Sequence, residues 1–310
     1  MPMLKIVQED QNKSRLDKVA AEMFNEFSRT QIKKWILEGR VLVNNELARP
    51  KDIVLHLDEI EINPVKEKKV SWDPEDIDFE VVDENNDFII VNKPHNLVMH
   101  PGSGCHSGTL ANALLYKYPE LESLPRSGIV HRLDKDTSGI LVVARNDKFR
   151  NHFINEMQAR NISKNYIAIS SGSTLGSFEI TDPIGRDKNN RTKMTIRDDG
   201  KEAITFVKLK EKIRGYSVLN ISIQTGRTHQ IRVHLASKKL PIIGDNTYNP
   251  RKVISKDTSD NLIEIIRNFP RQALHASSIA FKDMKSENVI TYNSDIPIDM
   301  QILISKLKKL

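Results

Sequence analysis

The stretch SGIVHRLDKDTSGILVVARN, residues 127–146, constrains the fold more than any other part of the chain. It sets His131, Arg132, Asp134, Lys135, Asp136, Thr137 and Ser138 between two apolar runs. GILVVA at 139–144 is short and rich in branched side chains, so it reads as a fully buried strand. A carboxylate between buried strands needs a cationic or hydrogen-bonding partner, or it holds its proton. The charged turn therefore has to be met by side chains from elsewhere in the sequence. Similar short runs recur at DFEVVDEN, FIIVNKP, GIVH, NYIAIS, AITFVKL, YSVLNISIQ and ALHASSIAF. In LNISIQ, Leu219, Ile221 and Ile223 alternate with polar residues, as in a sheet with one covered face. With helices expected at 109–118, 147–158, 229–238 and 298–308, residues 77–310 read as an α+β domain on a large mixed, mainly antiparallel sheet.

Residues 14–62 have a different character. SRLDKVAAEMFNEF has helical spacing, and SRTQIKKWILEGR begins with a Ser28/Gln31 capping box and ends at Gly39. VLVNNE follows as strand and turn. On the second helix Ile32, Trp35 and Ile36 share one side, while Arg29, Lys33 and Lys34 share the other. Residues 14–51 hold eight basic residues against five acidic ones. Such a face is either simply solvated or a binding surface for a polyanion. NPVKEKKVSWDPED, residues 63–76, combines prolines with a charge run and reads as a linker.

Across the whole chain 47 Lys and Arg face 41 Asp and Glu, an excess that favours a polyanionic partner without requiring one. No apolar run approaches the roughly 20 residues of a membrane span. The opening MPMLKIVQEDQNKSRLD lacks an apolar core and a cleavage site, so no membrane association or secretion is expected. The single cysteine, Cys105, cannot form an internal disulfide, and the expected location is the cytoplasm.

The sequence holds no GxxxxGK loop, no GxGxxG after a strand and no second cysteine, so nucleotide cofactors and thiolate metal sites are not expected. His229 and His234, five apart, fall on different faces of a helix, which argues against a shared metal. Two polar knots remain: HRLDKDTSG, and QTGRTHQIRVHLA at 224–236 with Arg227, His229, Gln230, Arg232 and His234. Arg227, just after a turn glycine, suits Asp134 as a bidentate partner. The pair is then either a structural ion pair or an ionised nucleophile or base in a dry pocket. Asp134 and Asp136 could also hold magnesium if the segment were an extended strand.

GIVHRLDKDTSGILVVA resembles the HRLDxxTSG signature of the RNA pseudouridine synthases. IIVNKPHNLVMHPGSG, KNYIAI, DPIGRD, GKEAITF, TGRTHQIRVHLA, PIIGDNTY and LHASSIAF extend the resemblance in order to about residue 282. Residues 14–62 resemble the αL-type (ribosomal protein-like) RNA-binding domain that precedes such catalytic domains. Asn249 and Asp283 depart from the family pattern outside the signature. The resemblance implies a cofactor-free, metal-free isomerisation of uridine to pseudouridine in RNA, with a stem-loop of large-subunit (23S) rRNA or a pre-ribosomal particle as expected target. Asp134, Tyr166 and Arg227 are then the expected catalytic residues, Tyr166 supporting the base and accepting the C5 proton. Arg132 is expected to fill the space that the extruded nucleotide leaves. His131, Thr137, Lys93 and Gln230 are further candidate substrate contacts, and Arg29, Lys33, Lys34 and Arg40 candidate RNA contacts. A monomer is expected.

Overall fold

In the computed structural model, residues 2–27, 29–64, 72–102, 104–256 and 258–309 are described. The chain divides into two units, Met1–Val70 and Ser71–Leu310.

The first unit comprises β1 (Met3–Ile6), β2 (Ser14–Arg15), α1 (Leu16–Met23), α2 (Arg29–Leu37), β3 (Val41–Val43), β4 (Glu46–Leu47), β5 (Ile53–Val54) and β6 (Glu59–Ile62). An antiparallel sheet runs β1-β6-β3-β4, and β2 pairs with β5. The β3–β4 turn is made by Asn44 and Asn45, both at positive φ (52° and 65°), a conformation asparagine tolerates well. Leu16, Val19, Phe24, Ile32, Trp35, Ile36, Ile60 and Ile62 are buried together, as the helical spacing anticipated for α2. The unit starts earlier than residue 14, because β1 closes one side of β6. Ser28, and with it the expected capping box, lies outside the described residues.

The second unit comprises β7 (Glu80–Glu84), β8 (Phe88–Lys93), α3 (Leu110–Lys117), β9 (Ser138–Ala144), α4 (Asp147–Gln158), β10 (Ser163–Ser171), β11 (Phe178–Ile180), β12 (Ile184–Arg186), β13 (Met194–Ile196), β14 (Thr205–Ile213), β15 (Tyr216–Ile223), α5 (Gln230–Ser237), α6 (Asp260–Arg267), β16 (Leu274–Lys282), β17 (Val289–Asn293) and α7 (Ile298–Leu307). Its main sheet runs β11-β14-β15-β10-β16-β9-β8-β7, with β17 also paired to β16. The β9–β16 contact is parallel and the other pairings are antiparallel, so the sheet is mixed. That parallel contact requires Gly139: its φ is +114°, and a Cβ there would lie 2.2 Å from the Ala276 carbonyl oxygen.

β8 and β9 are covered on both sides, which explains their unbroken apolar sequences. Ile89, Val91, Leu141 and Val143 face the larger core, while Phe88, Ile90, Ile140 and Val142 pack with Phe149 and Phe153 of α4. GIVH is not a strand as expected. Residues Pro125–Gly128 form a 3-10 turn with Arg126 and Ser127 at positive φ, and only Ile129 bridges to Val143. Of the expected linker 63–76, residues 65–71 lie outside the described residues. Beyond them Trp72 packs on the core, Asn112 Nδ2 donates to Asp73 O at 2.7 Å, and the Glu75 carboxylate accepts from Gly108 N. Polarity suggested a linker there, but hydrogen bonds to the α3 region and the packing of Trp72 hold the segment down. Sequence spacing also did not anticipate α6, the β12–β13 hairpin or β17.

Candidate active site

The turn after the 3-10 segment closes by a hydrogen bond from Thr137 N to Asp134 O at 3.1 Å and leads directly into β9. It presents the Asp134 carboxylate to the first turn of α5. Arg232 Nη1 donates to Asp134 Oδ2 at 2.8 Å. The same guanidinium is fixed from behind, with Nε and Nη2 donating to the Asp245 carboxylate at 2.7 and 2.9 Å. Asp245 in turn accepts from Thr247 N and Tyr248 N, and the Tyr248 ring lies 5.1 Å from the guanidinium carbon. Burial opposes the charge on Arg232, but Asp245 and then Asp134 outweigh it and raise its pKa further. The result is a permanently charged partner that orients one carboxylate oxygen of Asp134.

His229 and Arg232, three apart, lie on the same face of this helix turn. His229 Nε2 is 4.0 Å from Asp134 Oδ2. Tyr248 Oη accepts from Met194 N and lies 2.8 Å from His229 Nδ1. Its own proton is therefore free to be donated to Nδ1, which leaves the hydrogen of a neutral imidazole on Nε2, toward Asp134. Burial lowers the His229 pKa, against the pull of Asp134, and so favours that neutral ring.

This arrangement corrects the expected pairing. Arg227 does not pair with Asp134; its Nε donates to Glu202 O at 2.8 Å, and it stands on the wall of the cavity. Arg227 precedes the helix, whereas Arg232 sits within it, on the face turned to the carboxylate.

Asp134 opens into a cavity of about 680 Å³, a volume in the range of small-ligand sites. Tyr166, Thr137, Ile223, Leu274, Arg132 and Lys164 are among the residues that line it. Burial and then the charge of Asp134 raise the Tyr166 pKa, so the resting side chain is a protonated phenol. It offers an aromatic face and a hydroxyl without a hydrogen-bond partner among the described residues. Acceptance of the C5 proton by Tyr166 would need a phenolate that these surroundings disfavour. Arg132 is exposed at the rim, lines this cavity and a second one of about 430 Å³, and has no ion-pair partner among the described residues.

Three of the expected substrate contacts are occupied in holding the site together. Lys93 is fully buried and donates to Pro94 O, Leu97 O and Lys135 O at 2.7, 2.8 and 2.9 Å. Its three donors are spent, it lines neither cavity, and burial drives its pKa to about 7 against the attraction of Asp136 and Asp134. Gln230 accepts from Thr225 Oγ1 and Arg227 N and donates to Ile204 O and Thr205 Oγ1, tying the turn before α5 to β14. His131 Nε2 accepts from Val142 N at 2.9 Å, and its ring stacks on Phe153, although one edge reaches the cavity. Burial pushes its pKa down to about 3. Thr137 combines both positions: it lines the cavity and accepts from Gln272 Nε2 at 3.2 Å. Asp136 also does not form a paired carboxylate site with Asp134. Its carbonyl faces Arg271, which is held by Asp299 of α7.

Among the other candidates, Arg29, Lys33 and Lys34 are exposed on α2. Arg29 contacts Asp17 at 3.0 Å, Arg40 contacts Glu38 at 3.3 Å, and Lys33 has no partner among the described residues. Asn249 is buried, with Nδ2 donating to Ile242 O and Oδ1 accepting from Val253 N, so this departure from the family pattern is accommodated by hydrogen bonds. Arg232, Asp245 and Tyr248 carry the site's electrostatics; the sequence named Arg232 only as one member of a polar knot and did not single out Asp245 or Tyr248. The only hint was their place in the motifs HQIRVH and GDNTY.

A family model described as RNA pseudouridylate synthase matches residues 87–237, and one described as S4 domain matches residues 14–60. Relatives of similar length align along nearly the whole chain, and the protein belongs to the RNA pseudouridine synthases, isomerases that convert uridine in RNA to pseudouridine. Among those relatives is the ribosomal large subunit pseudouridine synthase D of Escherichia coli strain K12, 41% identical over 97% of this chain and 93% of that protein. The protein of the same name from Xanthomonas campestris pv. campestris is 40% identical over 95% and 89%. The solved human RNA pseudouridylate synthase domain containing 4 shares the fold, with a TM-score of 0.58 at 22% identity over 74% of this chain and 92% of that one. Among the described residues no helix is long and apolar enough to cross a membrane.

Proposed function

We propose that this enzyme isomerises loop uridines of large-subunit (23S) rRNA in the cytoplasm, as a monomer, with Asp134 acting on the ribose. The observation that carries the reading is the Asp134 carboxylate held by Arg232 at the edge of a cavity that Tyr166 lines. The choice of rRNA follows the relatives that share nearly the full length of the chain. In the reaction the C1′–N1 bond breaks, the uracil turns, C1′ bonds to C5, the proton on C5 is lost and N1 gains one. Asp134 serves either as nucleophile at C1′ or as base toward a sugar proton, and Arg232 keeps it oriented through both stages. The target must leave its stack, at a cost of a few kcal/mol that is smaller in a loop. In this reading Arg132 at the rim enters the space left behind, and the Tyr166 ring supports the extruded base. Apolar walls from Ile223 and Leu274 keep water from the detached uracil.

The test is carbodiimide labelling and primer extension on unmodified large-subunit rRNA, treated with the wild type or with Asp134→Ala. Stops at a few loop uridines with the wild type alone are expected. Stops with both proteins would remove Asp134 from the chemistry, and stops on tRNA alone would change the substrate. Light scattering of the purified chain checks the monomer.

A further inference from the structure

The site contains more positive charge than Asp134 can use. Arg232 is shared between Asp134 and Asp245. Along the cavity wall stands Lys164, partly buried and without a hydrogen-bond or ion-pair partner among the described residues. Its ammonium lies 3.8 Å from where a Cβ of Gly226 would be, beside the turn that carries Arg227. Burial, reinforced by Arg227, lowers the Lys164 pKa. The nearby carboxylate of Glu202 is taken by Arg160, and the Glu202 carbonyl by Arg227 Nε. Two cations thus line one cavity close enough to repel each other, and neither has a carboxylate partner among the described residues, an arrangement that costs stability in the free protein. An anionic ligand would offset that cost.

Position indicates which anion. Lys164 and Tyr166 are two residues apart on β10 and line the same cavity. Their Cα atoms are about 7 Å apart at strand spacing, a distance that a ribose bridges between its base and its phosphate. A nucleotide with its base at Tyr166 and its sugar at Asp134 would put a phosphate near Lys164. The two cations also lie clear of Asp134, so they can neutralise that phosphate without competing for the carboxylate. We propose that Lys164 and Arg227 form a subsite for the phosphodiester next to the extruded uridine, anchoring the target nucleotide by its backbone.

This proposal rests on the uridine-isomerising reading and is tested on a stem-loop containing a uridine mapped as above. Versions carry a neutral methylphosphonate on the 5′ or the 3′ side of that uridine. One of the two neutral linkages should lower wild-type kcat/KM about ten- to hundredfold, the size expected for a charged hydrogen bond. Lys164→Met should show a similar loss on normal RNA, mainly in KM, and almost none in addition on the neutral linkage. Lys164→Arg should restore the wild-type pattern. The melting temperature of Lys164→Met should not fall, since an unpaired cation has been removed. Equal linkage penalties in wild type and Lys164→Met, or no penalty in wild type, would overturn the subsite. A wild type that forms no pseudouridine in any RNA would overturn the functional reading instead, and the subsite with it.

Discussion

The turn at residues 131–137 and the outer face of α2 are both rich in charge, and they treat it in opposite ways. In the turn, Asp134 is tied to Arg232, Arg232 to Asp245, and the neighbouring carbonyls to Lys93 and Arg271. On α2, Arg29 keeps one surface ion pair while Lys33 extends into solvent. A charge that must act at one atom has to be fixed by partners, whereas charges that would meet a polymer backbone would work by number and need no single geometry. Single changes should therefore be decisive in the first region and graded in the second.

The largest expected difference is at Asp134. Asp134→Asn should abolish turnover in the mapping assay while RNA binding, read by fluorescence anisotropy, changes little; loss of binding as well would make the residue structural. Next come the two arginines of TGRTHQIR. Arg232→Met leaves Asp134 and Asp245 without their cation and should cost about 3–5 kcal/mol in denaturant unfolding of the full chain. Arg227→Met should stay within about 1 kcal/mol. Similar losses for both would contradict the pairing seen here.

Acid should also separate the regions. His131 has a pKa of about 3 in the folded protein against about 6.5 when unfolded. Its contribution is therefore fully present above about pH 6.5 and is lost as pH falls toward 3. His131→Gln, which retains an acceptor for Val142 N, should flatten that part of the stability curve, and an unchanged slope would show that other groups dominate. The smallest effect belongs to α2. Replacing Lys33 and Lys34 together by methionine should leave stability within about 0.5 kcal/mol and reduce the salt dependence of RNA binding by about 1–2 in log–log slope. An unchanged slope would take that face out of the RNA contact.

The parts of the fold visible in the sequence were those with local causes. β9 announced itself by its unbroken apolar run, α2 by the spacing of Ile32, Trp35 and Ile36, and the β3–β4 turn by two asparagines. The same run marked β9 as buried on both sides, but that α4 covers one of those sides through Phe149 and Phe153 has no local marker. At the site, the residues that the resemblance picked out, Asp134, Tyr166 and Arg132, line one cavity. The resemblance did not distinguish Arg227 from Arg232, because both are arginines in one motif and only the point at which α5 begins decides which reaches the carboxylate. Lys93 lines neither cavity, which could not be seen in the sequence: a lysine surrounded by three carbonyls looks there like any polar residue near a motif.

Asp134 and Arg232 are 98 residues apart in the chain. Closing so long a loop costs chain entropy that the pairing of the intervening strands must offset, so the contact is expected to form late in folding. A partly folded chain then has the carboxylate without its guanidinium, and a cavity with one wall missing. Competence to cut a glycosidic bond arrives together with the means to retain the severed base, and an unfinished molecule is inert rather than careless.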